Sequence, residues 1–71
     1  MVKPTKVTNS IRAAREAAGI TQAELARRVG VTRQTLIAIE QGRYSPTLEL
    51  AFQLARAFHV GLDDLFDYPE A

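Results

Sequence analysis

Residues 22–41 constrain the fold of this chain more than any other part of its sequence. They contain two short helix patterns separated by Gly30, a residue that adopts a left-handed turn conformation at little cost. Thr21 precedes the first pattern and, together with Glu24, has the spacing of a capping box. Thr32 precedes the second pattern and is expected to cap it. The segment therefore predicts two short helices that meet at a tight turn.

Length and composition narrow the classes of protein to which the chain can belong. Its 71 residues suffice for one domain, and so small a core makes a partner subunit reasonable on energetic grounds. The absence of cysteine from the sequence excludes disulfides and thiolate metal sites. The N-terminus lacks the apolar core of a secretory signal, and no apolar run reaches membrane-spanning length. We therefore expect a cytoplasmic protein that does not associate with a membrane.

Charge is distributed unevenly along the chain. Residues 1–43 hold eight Lys and Arg against three acidic residues, a balance of +5. Residues 44–71 hold one Arg against five acidic residues, a balance of −4. A chain polarised in this way can present one face to a polyanion, although a merely lopsided, solvated surface is the alternative interpretation.

Further helix signals flank the central segment and predict an all-α fold with five helices. Ser10 is expected to cap a first helix over Ile11–Ala18. Gly42 ends the third helix, and Thr47 is the expected cap of the fourth. A last helical turn is predicted over residues 62–66.

The two ends of the chain are predicted to pair with each other. Residues 1–9 are polar and alternate weakly, as an extended arm or a short edge strand does, and residues 66–68 alternate apolar and polar side chains. We expect a short two-stranded antiparallel sheet with residues near Val7 opposite residues 66–68. The chain is interpreted as a single domain over residues 1–71, with the paired helices at residues 21–41.

The fourth helix is apolar over most of its circumference, so it has to be covered on more than one side. One apolar stripe contains Leu48, Ala51, Phe52, Ala55 and Phe58, and a second contains Leu50, Leu54 and Ala57. A small monomer covers one side, which suggests that a partner covers the other. We therefore predict a homodimer whose interface is formed by Leu50, Leu54, Leu62, Leu65 and Phe66.

The segment TQAELARRVGVTRQTLIAIEQGRYSP, residues 21–46, resembles the phage repressor and Cro-type helix-turn-helix family, also called the xenobiotic-response-element class. The likeness extends over roughly residues 10–67. It implies five helices, of which the second and third form a DNA-reading unit. The short length resembles small single-domain transcriptional regulators that bind DNA as two-fold dimers.

The resemblance also implies roles for individual positions. The base-reading positions of the third helix are Arg33, Gln34, Thr35 and Ala38. The positions that contact phosphate are Gln22, Thr32, Gln41, Arg43, Tyr44 and Ser45. Arg15 and Glu40 match positions that form a buried ion pair between the first and third helices in some relatives.

The chemistry of the third helix suits base reading. Arg33 carries a planar fork that matches guanine O6 and N7, and Gln34 carries the donor and acceptor that match adenine N7 and N6. Ala38 is small enough to let the helix approach the floor of the major groove. The alternative is that Arg33, Gln34 and Gln22 are simply exposed polar side chains, and that Tyr44 shields its loop.

Three positions depart from the pattern of the family. His59 ends the fourth helix where many relatives have glycine, and histidine is among the residues that tolerate a left-handed conformation. Gly61 replaces a usual Ser or Thr cap, and Ala14 replaces a larger aliphatic residue. A structural role is favoured for His59, because it has no ligand partner at metal spacing.

The sequence favours a DNA-binding protein over an enzyme. It shows no pair of nucleophile and base, no glycine-rich phosphate loop and no metal constellation, and it indicates no cofactor or small-molecule ligand. We predict a sequence-specific transcriptional regulator that binds double-stranded DNA through the major groove. It is expected to be a homodimeric repressor with a palindromic operator. The alternative is an antitoxin-type module that neutralises a protein partner and also binds its own promoter.

Overall fold

The structure is a computed structural model, and it describes residues 5–43 and 45–69. These residues form five α-helices and one two-stranded antiparallel sheet, which confirms the predicted fold class. In chain order the elements are β1 (Thr8–Asn9), α1 (Ile11–Ala18), α2 (Gln22–Val29), α3 (Arg33–Glu40), α4 (Leu48–Ala57), α5 (Leu62–Leu65) and β2 (Phe66–Asp67).

Three threonines start three of the helices, as their positions predict. The hydroxyl of Thr21 accepts from the amide of Glu24 at 3.1 Å, and the hydroxyl of Thr32 accepts from the amide of Thr35 at 3.1 Å. Thr47 makes the same contact ahead of α4, at 3.2 Å from the amide of Leu50. Each bond satisfies an amide that has no partner within its helix. These local contacts determine where the helices begin.

Two cap predictions are wrong in their details. The Ser10 side chain does not cap α1, and the side-chain oxygen of Asn9 accepts from the amide of Ile11 at 3.1 Å instead. Glu24 does not return to the backbone of Thr21 to complete a capping box. Its carboxylate instead binds Arg27 and Arg28 on the next turn, and both partners in each of these bonds are ionised.

Left-handed residues end the helices where the sequence predicts. Gly30 has φ of 76°, and its amide donates back to α2, so the chain turns sharply into α3. His59 has φ of 57°, which confirms that it replaces glycine after α4. Gly61 caps α5 without a side chain, and its amide donates to the Asp64 carboxylate at 2.9 Å.

One continuous core joins all five helices. Side chains from α2 and α3 meet in it on one side, and side chains from α4 and α5 close the other. Its buried members are Ile11, Leu25, Ala26, Val29, Leu36, Ile39, Leu54, Ala55 and Leu65. Ala26 is 2% exposed, so its small side chain lies fully within this core.

The predicted dimer surface is wrong at two residues, because Leu54 and Leu65 are 0% and 2% exposed and belong to the core of the single chain. Neither offers surface to a partner. Helix α4 packs against α2 and α5, and its Leu48 and Phe52 side chains are 68% and 50% exposed. Leu50 is half-buried against the core, and the outermost apolar side chains of α4 are those that the sequence placed inside.

The predicted pairing of the chain ends is confirmed. Strand β1 runs antiparallel to β2, with Thr8 opposite Asp67 and Asn9 opposite Phe66. The ladder continues through the amide of Ser10, which donates to the carbonyl of Leu65 at 2.9 Å. Residues 1–4 of the predicted arm lie outside the described residues.

Candidate nucleic-acid interface

The third helix has one side in the core and one side in solvent. Leu36 and Ile39 are fully buried, and they anchor α3 against α2. Arg33 and Gln34 are exposed at the start of the helix. Thr35 and Ala38 are half-buried on its flank. The four positions that are predicted to read bases are therefore accessible, which is the condition that a DNA-reading helix has to meet.

The start of α3 is held by a pair of threonine contacts. Besides accepting from the amide of Thr35, the Thr32 hydroxyl donates to the Thr35 hydroxyl at 3.0 Å. The two hydroxyls therefore lie side by side in the first turn. Amides of this turn that have no partner within the helix suit an anion, because the helix dipole also places partial positive charge there.

A buried ion pair joins the first and third helices. Arg15 Nε donates to Glu40 Oε2 at 2.9 Å, and the two side chains are only 12% and 5% exposed. Arg15 also donates to the carbonyl of Ile20 at 3.1 Å. The structure thus contains the ion pair that the resemblance implies, and it fixes the end of α3 to α1.

Gln22 links this ion pair to Arg33 at the start of α3. Its side-chain nitrogen donates to Glu40 Oε1 at 3.3 Å, and its side-chain oxygen accepts from Arg33 Nη2 at 3.4 Å. The sequence identifies Gln22 as a phosphate-contacting position but not as a bridge between α2 and α3. Arg33 and Glu40 are 11 and 18 positions away from Gln22 in the sequence, and no local sequence pattern indicates contacts over such separations.

A cavity of about 540 Å³ opens between α1, α2 and α3. Its wall combines polar side chains of all three helices, namely Arg12, Arg15, Glu16, Thr21, Gln22, Arg33, Glu40 and Gln41, with Ile37. Both carboxylates in the wall are paired, Glu16 with Arg12 and Glu40 with Arg15. Among the described residues, Arg33 makes no ion pair, so its charge remains available to an anionic ligand.

The two arginines at the end of α2 are engaged elsewhere. Arg27 and Arg28 both bind the Glu24 carboxylate, at 2.6 and 2.9 Å. The hydrogen bonds from Arg27 and Arg28 hold the pKa of Glu24 below its ordinary value, and the same bond to Glu24 raises the pKa of Arg27. This cluster is a local charge balance on α2 and is not part of the cavity wall.

The loop after α3 carries the remaining predicted phosphate contacts. Gln41, Arg43 and Ser45 are exposed, and the chain turns between them at Gly42, which has φ of 74°. Tyr44 lies outside the described residues. The exposed positions follow α3 directly.

Asn9 makes a contact that the sequence does not indicate. Its side-chain nitrogen donates to the carbonyl of Ile39 near the end of α3 at 2.9 Å, while its oxygen accepts from the amide of Ile11. One side chain thus connects the terminal sheet with α1 and α3. Its position ahead of a helix is a capping signal, but the contact to Ile39 is long-range.

Residues 5–43 and 45–69 contain no group of three or more His, Cys, Asp or Glu that could hold a metal ion. They also contain no helix that is long and apolar enough to cross a membrane.

Comparisons with known proteins agree with the geometry. A helix-turn-helix family model matches residues 11–65. An uncharacterised transcriptional regulator of this type from Methanocaldococcus jannaschii is 45% identical over 62 residues, which cover 87% of this chain and 94% of that protein. Another, from Methanothermobacter thermautotrophicus, is 58% identical over 57 residues, which cover 79% and 83% of the two chains.

A solved structure has the same fold. The crystal structure of a restriction-modification controller protein from Aeromonas hydrophila superposes with a TM-score of 0.71 and 28% identity. The match covers 76% of this chain and 82% of that chain.

Proposed function

The chain belongs to the helix-turn-helix family of DNA-binding transcriptional regulators, of the phage repressor and Cro type, and we propose that it is a sequence-specific repressor. Membership of a family of regulators also supports the prediction that it is not an enzyme. In this proposal, residues 1–71 form one DNA-binding domain that reads a palindromic operator as a homodimer.

The observation that carries the proposal is the open outer side of α3. Arg33 and Gln34 are exposed there, and their side chains match the edges of guanine and adenine in the major groove. Thr35 offers a hydroxyl and a methyl group beside them, and Ala38 permits close approach. Each well-placed bidentate contact discriminates against a wrong base by ~1–3 kcal/mol.

Phosphate contacts would surround the reading helix. Thr32 at its start and Gln41, Arg43 and Ser45 after its end are all exposed, as phosphate contacts have to be. Tyr44 is proposed to join them, on the strength of the family resemblance alone. Such contacts orient the protein on DNA without reading sequence.

The dimer surface is proposed to lie at the edge of the terminal sheet and the start of α4. Two shallow depressions there share Val7, Leu62 and Phe66. Their remaining apolar lining comes from Pro46, Leu48, Ala51 and Tyr68. Leu62 and Phe66 belong to the interface predicted from the sequence, and Leu48 and Tyr68 are 68% and 63% exposed. A contiguous exposed apolar surface of this kind is typical of protein interfaces.

Two-fold symmetry sets the form of the operator. Paired reading helices about 34–36 Å apart reach successive major grooves on one side of the duplex. The two half-sites are then inverted copies of each other. A bound repressor of this size would act by occupying promoter DNA.

Selection of bound duplexes from a random pool, at a stated salt concentration, tests the proposal directly. We expect an inverted repeat to be enriched. Arg33→Ala should then relax the preference at one base pair of each half-site, at a cost of ~1–3 kcal/mol on the preferred sequence. Arg43→Ala is the control. It should weaken binding to all sequences about equally and reduce the salt slope by about 1.

Two outcomes would contradict the proposal. One is a pool in which no sequence is enriched although the protein binds DNA. The other is equal, sequence-independent loss of binding for Arg33→Ala and Arg43→Ala.

A further inference from the structure

A continuous chain of hydrogen bonds runs from the buried ion pair to the first residue of the reading helix. Arg15 donates to Glu40 at 2.9 Å, Gln22 donates to Glu40 at 3.3 Å, and Arg33 donates to Gln22 at 3.4 Å. These four side chains belong to α1, α2 and α3, so the chain of hydrogen bonds spans all three helices that line the cavity.

The donors and acceptors in this chain permit only one orientation of the Gln22 amide. The Glu40 carboxylate accepts hydrogen bonds only, and the Arg33 guanidinium donates only. The Gln22 nitrogen therefore has to face Glu40, and its oxygen has to face Arg33. An amide turned the other way would present its oxygen to a carboxylate and its nitrogen to a cation.

The anchor of the chain is much more rigid than its outer end. Glu40 is 5% exposed and is held by Arg15, which is fixed in turn by the carbonyl of Ile20. The bond between Arg33 and Gln22 is long and exposed, so on its own it contributes little. Its importance is that it offers a fixed acceptor to a long, flexible side chain.

We propose that Glu40 is a positioning residue for base reading. By fixing the Gln22 amide, it restricts the conformations of Arg33 before DNA is bound and so strengthens the preference at the base pair that Arg33 reads. This inference rests on the proposed function, because it assumes that Arg33 contacts a base. Preorganisation of this kind reduces the ordering cost that a flexible side chain meets on binding.

Three variants test this chain of hydrogen bonds. Glu40→Gln allows the amide of Gln22 to turn, since the new side chain both donates and accepts. Gln22→Met removes the bridge and leaves the ion pair intact. The double variant Gln22→Glu with Glu40→Gln reverses the donor and the acceptor between positions 22 and 40. The new carboxylate at position 22 accepts from Arg33 and from the new amide at position 40. The ion pair with Arg15 stays broken.

Base preference is measured as the ratio of affinities for duplexes that differ at the Arg33 position. We expect this ratio to fall roughly 3- to 10-fold for Glu40→Gln and for Gln22→Met. The double variant should return it to within about 2-fold of the original chain, although its stability stays low. Glu24→Gln is the matched control for the loss of one carboxylate, and it should leave the ratio unchanged.

A measurement without DNA separates this inference from the proposed function. In the free protein, ¹⁵N relaxation at Arg33 Nε should show more motion in Glu40→Gln and in Gln22→Met than in the original protein. In the double variant, the motion should be smaller than in either single variant. If Arg33→Ala shows no effect at any single base pair, the proposed function fails at this residue and the inference fails with it.

Other results would overturn the inference while leaving the proposed function intact. Gln22→Met with an unchanged ratio and uniformly weaker binding would show that Gln22 only contacts phosphate. Unchanged Arg33 motion in Gln22→Met would show that Gln22 does not restrict the Arg33 side chain. If Glu40→Gln does not fold, Gln22→Met alone decides between these outcomes.

Discussion

At the scale of single residues, burial decides what an ion pair contributes. Arg12 and Arg15 are three positions apart on α1, and each binds a glutamate. The Arg12–Glu16 pair is solvated, with side chains 74% and 59% exposed, whereas the Arg15–Glu40 pair is almost completely buried. The local spacing of Arg12 and Glu16 can be read from the sequence. Arg15 and Glu40 are 25 positions apart, and only the family resemblance indicated their contact.

Arg15→Ala should therefore destabilise the chain strongly, by ~3–5 kcal/mol, because it leaves the Glu40 carboxylate buried without its partner. Arg12→Ala should cost less than about 1 kcal/mol, since exposed pairs are screened by solvent. Urea denaturation of the two variants measures the difference. Equal losses of stability would contradict the assignment of Glu40 to the interior.

At the scale of elements, the ends of the helices were predictable because their contacts are local. Thr21, Thr32 and Thr47 cap their helices within three residues. The role of Glu24 was not predictable in the same way, because a backbone amide and two arginines compete for one carboxylate. In the structure the carboxylate binds the two arginines.

The turn between α2 and α3 requires glycine for its backbone and not for space. Gly30 has φ of 76°, and a Cβ added there meets nothing within 4 Å. Gly30→Ala should therefore lower the free energy of unfolding by about 1 kcal/mol, the cost of a left-handed L-residue. Gly30→Asn should lose less, because asparagine tolerates this conformation. Chemical denaturation measures both, and an alanine variant as stable as the original would refute the explanation.

The Glu24–Arg27–Arg28 cluster on α2 predicts a pH dependence of defined sign. Hydrogen bonds from Arg27 and Arg28 lower the pKa of Glu24 in the folded chain. Its contribution to stability is therefore fully present above the pKa of the unfolded chain, and it is lost as the pH falls through the lower folded pKa. The free energy of unfolding of Glu24→Gln should therefore fall less steeply with decreasing pH over this acidic interval than that of the original chain.

Glu49→Gln is the matched control for this experiment, since Glu49 forms no ion pair within residues 5–43 and 45–69. Thermal unfolding followed against pH compares the two variants. An acid limb that is equally steep in Glu24→Gln and in the original chain would show that the cluster contributes nothing. High salt should reduce the difference, because the cluster is exposed.

At the scale of the whole molecule, the sequence indicated an excess of apolar surface but not where it lies. The composition of α4 shows that several of its sides are apolar. Which side the chain covers itself depends on how α2 and α5 pack, and that is a long-range property. Leu54 and Leu65 were therefore assigned to the wrong surface, whereas Leu62 and Phe66 stay partly accessible.

The proposed dimer surface can be tested with exposed residues, whose replacement the fold should tolerate. Leu48→Glu and Tyr68→Glu should each weaken self-association roughly 10- to 30-fold, because they place a charge in an apolar interface. Phe52→Glu is the control, since Phe52 is 50% exposed but lines neither of the two depressions. Sedimentation equilibrium measures the three variants.

A folded monomer of the original chain at micromolar concentration would contradict the dimer. It would also favour the alternative function, in which the same apolar surface binds a different protein. Dissociation by Phe52→Glu alone would place the interface at the neighbouring depression, which Phe52 lines together with Val29 and Ala57.

Asn9 has a consequence for how rigidly the protein would grip its operator. Its backbone pairs with Phe66, which lines the proposed dimer surface, and its side chain donates to the carbonyl of Ile39 near the end of α3. The proposed subunit seam and the proposed reading helix are thus both attached to one residue. In a dimer built on this seam, the distance between half-sites is set by the framework and not by a pliable joint.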